Sequence, residues 1–119
     1  MLRKLLKAKI HRATVTGADL EYEGSIGIDA DLLTAVDLAE NEAVHVWNMS
    51  NGERIETYVI RAEPGSGEIC LNGAAARLFH PGDLVIIAAF CWVDGQEMAD
   101  HKPRIVIVDE RNSISQRVA

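Results

Sequence analysis

The sequence predicts a small, mainly β barrel carrying one or two short helices. Turn signals carry most of that reading, because they recur at short intervals: "TGAD" (16–19), "EGSIG" (23–27), "SNGE" (50–53), "EPGSG" (63–67), "NG" (72–73), "HPGD" (80–83) and "DG" (94–95). Between them lie short runs rich in Val, Ile, Tyr and Thr that alternate apolar with polar residues or stay apolar throughout. A single segment has a clear helical period. Many short strands with so few helices fit a closed or nearly closed sheet, which leaves few unpaired edges.

The first segment supports two readings. Leu2, Leu5, Leu6 and Ile10 would share a helix face, whereas "KAKIHRATVT" alternates like a strand, with Lys9, His11, Ala13 and Val15 on one side. "DADLLTAVDL" (29–38) is the helix: Asp29 or Asp31 can cap it, and Leu32, Leu33, Val36 and Leu38 form its apolar face. "AVHVWNM" and "RIETYVIRA" alternate as strands do. "GAAARLF" (73–79) can form a second short helix. "DLVIIAAF" is a continuous apolar run, the pattern of a strand covered on both faces, and "PRIVIVD" alternates again. The ending "DERNSISQRVA" is polar and unpatterned and is expected to fray. One domain is therefore expected over 1–112, with 113–119 as a polar tail. A chain of 119 residues has room for one modest core.

Composition removes several classes of function. The net charge is −6, so the electrostatic basis for gripping a phosphate backbone is missing. The longest apolar run, Leu84 to Val93, falls far short of the ~20 residues of a membrane helix. The N-terminal "MLRKLLKAKIHR" keeps its charges interleaved and offers no leader-like apolar block, so a cytoplasmic protein is expected. Cys70 and Cys91 sit in apolar segments without C-x-x-C spacing and read as buried, reduced thiols. His11, His45, His80 and His101 are scattered without ligand spacing, so no metal is expected.

Period-2 alternation puts Arg54, Glu56 and Tyr58 on one face of their strand and Thr57 on the other. A cleft holding Lys9, Arg54 and Tyr58 would suit a small dicarboxylate. Arg54 can grip one carboxylate through two N–H groups, Lys9 adds a point charge, and Tyr58 can move a proton. Other residues have plainer readings. Asp29 and Asp31 read as caps, Trp47 and Trp92 as core or subunit contacts, Glu56 as a solvated or paired charge, and His80 as part of a turn. Within "EYEGSIGID", Gly24–Ser25 reads on residues alone as an ordinary turn.

Five collinear blocks, "KIHRATVT", "YEGSIGID", "NGERIETY", "NGAAA" and "GDLVIIAAF", together resemble the bacterial aspartate 1-decarboxylases, a pyruvoyl-dependent family. The resemblance runs from Met1 to about Asn112. It implies a double-psi β-barrel, a homotetramer with sites at subunit boundaries, and conversion of L-aspartate to β-alanine for pantothenate synthesis. It also implies that Gly24–Ser25 is cut by the chain itself. That would give a β chain (1–24) and an α chain (25–119) whose Ser25 becomes the pyruvoyl group, with no metal and no pyridoxal phosphate. By the same resemblance Thr57 supports the Gly24 carbonyl during the cut. The pyruvoyl ketone takes the substrate amine as a Schiff base, and Tyr58 returns a proton after CO₂ leaves. Arg54 and Lys9 anchor carboxylates, Tyr22 and His11 line the site, and Asn72, Gly73, Ala74 and Ala75 frame the pyruvoyl end. Ile26–Gly27 departs from the family pattern just after the cut and is expected to alter its speed without abolishing it. Two other readings stay open: an uncut barrel of the same ancestry that binds small anions, and a decarboxylase that prefers glutamate. So does the need for a maturation partner.

Overall fold

A computed structural model describes residues 1–118. In chain order the elements are β1 (Arg3–Thr14), β2 (Gly17–Asp19), β3 (Ser25–Asp29), α1 (Ala30–Val36), β4 (Ala43–Asn48), β5 (Arg54–Ala62) and β6 (Ile69–Asn72). A 3-10 turn (Gly73–Arg77), β7 (Leu84–Val93), a 3-10 turn (Glu97–Ala99), β8 (Arg104–Val108) and β9 (Ile114–Arg117) complete the chain. The strands form one sheet in the order β2-β6-β3-β5-β4-β7-β1-β8-β9. The pairs β1/β8, β2/β6 and β3/β5 are parallel, and the other neighbours are antiparallel. The expected mainly β class is observed, and this mixed, crossed order is compatible with a double-psi barrel. No helix among the described residues is long and apolar enough to cross a membrane.

The core follows from alternation. Val44 and Val46 of β4, Val59 of β5, Val85 and Ile87 of β7, and Val106 and Val108 of β8 all turn inward. Phe79, delivered by the chain after the first 3-10 turn, is fully buried among them. α1 closes one side with Leu32, Leu33 and Val36. Asp29 caps it by accepting from Asp31 N at 2.8 Å, and Asp37 ends it in the left-handed region (φ 58°), where the Leu38 N–H returns to Leu33 O. The same oxygen, Oδ1, also accepts from Gly65 N at 3.0 Å, and Oδ2 accepts from Gly67 N at 2.8 Å. That buried carboxylate ties the end of β3 to the loop entering β6.

Three expectations need correction, and the alternatives for Trp92 narrow to a subunit contact. β1 is a strand, but Lys9, His11, Ala13 and Val15 do not share a face. Arg12 adopts φ 66° and the pairing with β7 slips between Ile10 and Ala13. That bulge shifts the alternation by one residue, so Lys9 stays outside while Ala13 and Val15 join Ala8 and Ile10 inside. The polar tail is not free over its described length, since β9 pairs with β8; Ala119 lies outside the described residues. Trp92 is no core residue, being 63% exposed. Both cysteines are half-buried and unpaired with each other rather than sealed in the core.

Asn112 explains part of the tail's order. It sits at φ 61°, is buried, and clips three segments together. Its Nδ2 donates to Thr14 O and to Gly67 O, both at 2.8 Å, and its Oδ1 accepts from Thr14 N at 2.7 Å. Asn112→Ala leaves those backbone groups without partners and is expected to cost about 2–4 kcal/mol. Urea unfolding should show a lower midpoint with an unchanged slope.

Candidate active site

Ser25 opens β3 and is fully buried, which is unusual for a hydroxyl unless it is held. Asn72 Nδ2 donates to its Oγ at 3.0 Å, and the hydroxyl reaches Glu23 O at 3.4 Å. The contact follows from register, because Ser25 and Asn72 are direct antiparallel partners. On the other side Ile26 pairs with Val59 of β5 in parallel, so one step back along both strands sets Tyr58 beside Ser25. Tyr58, Ser25 and Asn72 therefore form one row across three neighbouring strands, with side chains on the same face. Thr57, half-buried, points to the opposite face, as alternation predicts.

Gly24 is packed against Gly73 by an approach that only glycine allows. Gly73 has φ +70°, and a Cβ there would lie 2.7 Å from Gly24 Cα, 2.8 Å from Gly24 N and 3.2 Å from Tyr22 O. Tyr22 thus meets the site through its backbone, while its side chain is exposed. Ala74 and Ala75 follow Gly73 in the 3-10 turn.

The remaining expected residues lie on the same outer face but farther off. Arg54 starts β5, four residues before Tyr58, roughly 13 Å along the strand. Lys9 pairs with Ala88, and Ala88 with His45, and His45 with Glu56, so three strand steps of ~4.8 Å separate Lys9 from β5. Within one chain, then, Ser25, Asn72, Tyr58, Gly24 and Gly73 come together, and Lys9 and His11 do not join them. His11 Nδ1 is tucked in without a partner among the described residues, although the ring as a whole is half-exposed. Burial first, then the charges of Lys9 and Arg12, lower its pKa and favour the neutral ring. Among the described residues no three His, Cys, Asp or Glu side chains converge as a metal site would require.

One contributor escaped the sequence reading. The Cys70 thiol donates weakly to Asn72 Oδ1 at 3.4 Å, which leaves the Asn72 NH₂ facing Ser25. Burial, then the carboxylates of Glu68 and Asp19, raise the Cys70 pKa and keep it a thiol. Period 2 along "CLN" puts Cys70 and Asn72 on one face, and that was the available signal. Glu68 also lies over Gly27: a Cβ there would come within 2.8 Å of its Oε2. Gly27 therefore makes room for a carboxylate beside β3.

Residues 1–115 match the aspartate decarboxylase family. The chain belongs to that family. Its relatives include the aspartate 1-decarboxylase of Myxococcus xanthus, 59% identical over 114 residues, which covers 96% of this chain and 88% of that protein. The aspartate 1-decarboxylase of Leptothrix cholodnii is 59% identical over 116 residues, 98% of this chain and 88% of the relative. That of Caldicellulosiruptor bescii is 59% identical over 114 residues, 96% and 89%. Across the family member described here, the match spans every element that builds the Ser25 row.

Proposed function

We propose that this chain is a self-processing aspartate 1-decarboxylase that converts L-aspartate to β-alanine and CO₂, for pantothenate synthesis in the cytoplasm. One observation carries the reading: Ser25 is buried at the head of β3 with its oxygen held by Asn72, directly after a glycine packed on Gly73.

The bond changes of self-processing involve Gly24, Ser25 and one water. Ser25 Oγ attacks the Gly24 carbonyl carbon, and the amide nitrogen leaves as the ester forms. Thr57 acts as the donor that steadies the charge on the Gly24 oxygen, a kind of contact worth ~3–4 kcal/mol of barrier. Loss of the residue-25 Cα proton then expels the ester oxygen. Residues 1–24 depart with a free carboxylate, and residue 25 becomes dehydroalanine. Water replaces its nitrogen as ammonia, leaving a ketone.

The surroundings fit such a group. Asn72 Nδ2 donates to Ser25 Oγ, the oxygen that leaves with residues 1–24, so the cut frees this donor beside residue 25, and burial keeps bulk water away. When formed, the pyruvoyl ketone supplies an electron sink for the bond to the departing carboxylate. Tyr58, in the neighbouring position on β5, serves as the proton donor to the product carbon. Arg54 and Lys9 hold carboxylates, with His11 and Tyr22 at the margin and Asn72, Gly73, Ala74 and Ala75 around the reacting end. The separation of Lys9 and Arg54 from Ser25 within one chain supports sites completed between subunits of a homotetramer. Residues 1–112 act as the processing unit.

Purified protein incubated with equal L-aspartate and L-glutamate should accumulate β-alanine in clear excess over γ-aminobutyrate. The reverse excess would reassign the substrate, and neither product would overturn the proposal.

A further inference from the structure

β6 carries Cys70 and Asn72 two residues apart, so period 2 sets both side chains on one face. Both strand neighbours of Cys70 are glycines, Gly17 on β2 and Gly27 on β3. Neither puts a side chain beside the thiol, which has room to lean toward Asn72. A Cβ at Gly17 would already lie 3.4 Å from Cys70 Sγ, and one at Gly27 would lie 3.8 Å from Cys70 Cβ. Two contacts then run in series. Cys70 Sγ is 3.4 Å from Asn72 Oδ1, and Asn72 Nδ2 is 3.0 Å from Ser25 Oγ. The Asn72 amide makes no other hydrogen bond among the described residues.

We propose that Cys70 is a positioning residue for the cut at Gly24–Ser25, turning the Asn72 amide so that its NH₂ meets the Ser25 hydroxyl. This role rests on the self-processing reading above. A side-chain amide can sit either way round, and its partners decide which. A thiol has one hydrogen to give, and of the two ends of the amide only the oxygen accepts it. With the S–H on Oδ1, the NH₂ is left for Ser25. Reversed, the amide would accept from the Ser25 hydroxyl and set its own N–H groups against the S–H. A thiolate would favour that reversed arrangement, because it accepts and cannot donate. Burial, then the carboxylates of Glu68 and Asp19, keep Cys70 protonated. The orientation matters as Ser25 loses its proton and attacks. An N–H facing Oγ steadies the negative charge that grows there, whereas an amide oxygen would repel it.

The test uses the full-length chain, collected uncut in the cold and then warmed, beside Cys70→Ala, Cys70→Val and Cys70→Ser. Denaturing mass spectrometry reads the cleaved fraction over time, and urea midpoints confirm that each chain is folded. Before warming, NMR follows solvent exchange of the Asn72 side-chain NH₂. Valine keeps the bulk without a donor, and serine keeps a donor in less bulk. Cys70→Ala and Cys70→Val should cut about threefold to tenfold more slowly, the worth of one modest hydrogen bond, with faster NH₂ exchange. Cys70→Ser should recover both. A packing role gives the opposite ranking, with Cys70→Val near the natural rate and Cys70→Ser slow. That ranking, or equal rates in all four chains, would overturn the proposal while self-processing stands. A natural chain that never cuts would remove the self-processing reading, and exchange then decides Cys70 by itself. Faster exchange in Cys70→Ala and Cys70→Val, restored in Cys70→Ser, would uphold the orientation of Asn72; equal exchange would overturn it.

Discussion

Ser25→Ala should yield one intact chain of 13.0 kDa that makes no β-alanine. The hydroxyl is asked to do two things that no neighbour can replace. It is the nucleophile that breaks the Gly24 peptide bond, and its carbon skeleton becomes the reactive ketone. The effect is therefore complete loss and not a slower reaction. The variant also removes the acceptor of a buried hydrogen bond, so Asn72 Nδ2 loses its partner at a cost of about 1–3 kcal/mol. Circular dichroism and a urea midpoint separate that modest destabilisation from unfolding. A folded Ser25→Ala chain that still releases CO₂ from aspartate would contradict the role given to Ser25.

Gly73→Val should nearly abolish the cut at Gly24–Ser25 in a chain that is still able to fold. A Cβ at position 73 would lie 2.7 Å and 2.8 Å from two backbone atoms of Gly24. Backbone cannot swing aside as a flexible side chain can, so the segment from Tyr22 to Gly24 must move. That movement takes the bond under attack away from the Ser25 hydroxyl. A displacement of about 1 Å is enough to cost roughly a hundredfold in rate. The positive φ of +70° adds strain of about 1–2 kcal/mol for a residue with a Cβ. Gly82→Ala is the matching control: its φ is +94°, yet nothing lies within 4 Å of the added carbon. Both variants carry backbone strain, and only Gly73→Val should lose cleavage. The cleaved fraction over time, read by denaturing mass spectrometry, distinguishes them.

Much of this was legible in the chain because it depends on period. "VHVWN" and "RIETYVIRA" alternate; β4 buries every second residue, and β5 alternates exposed with less exposed residues from Arg54 to Val59. The placement of Arg54, Glu56 and Tyr58 opposite Thr57 needed nothing more. Capping was equally readable, since an aspartate before "ADLLTAV" has an obvious local partner in the Asp31 N–H. What sequence could not give was register. The β1 bulge at Arg12 rests on one residue with positive φ, a conformation that arginine seldom adopts and that no local pattern announces. It broke the expected face of Lys9, His11, Ala13 and Val15. Likewise β9 forms because Asn112 and β8 hold the tail from a distance, while its own composition is polar. The link between Cys70, Asn72 and Ser25 combines readable period with unreadable pairing. The motifs named the residues, and only the β6/β3 register put them in contact.

The most direct test of self-processing is the intact mass of the purified, denatured protein, with a borohydride-treated aliquot weighed beside it. The expected result is two pieces dividing between Gly24 and Ser25. The larger should lack an N-terminal amine and gain hydrogen on reduction, as a ketone does. A single unmodified 13.0 kDa chain that stays whole after prolonged warming would contradict the pyruvoyl reading of Ser25.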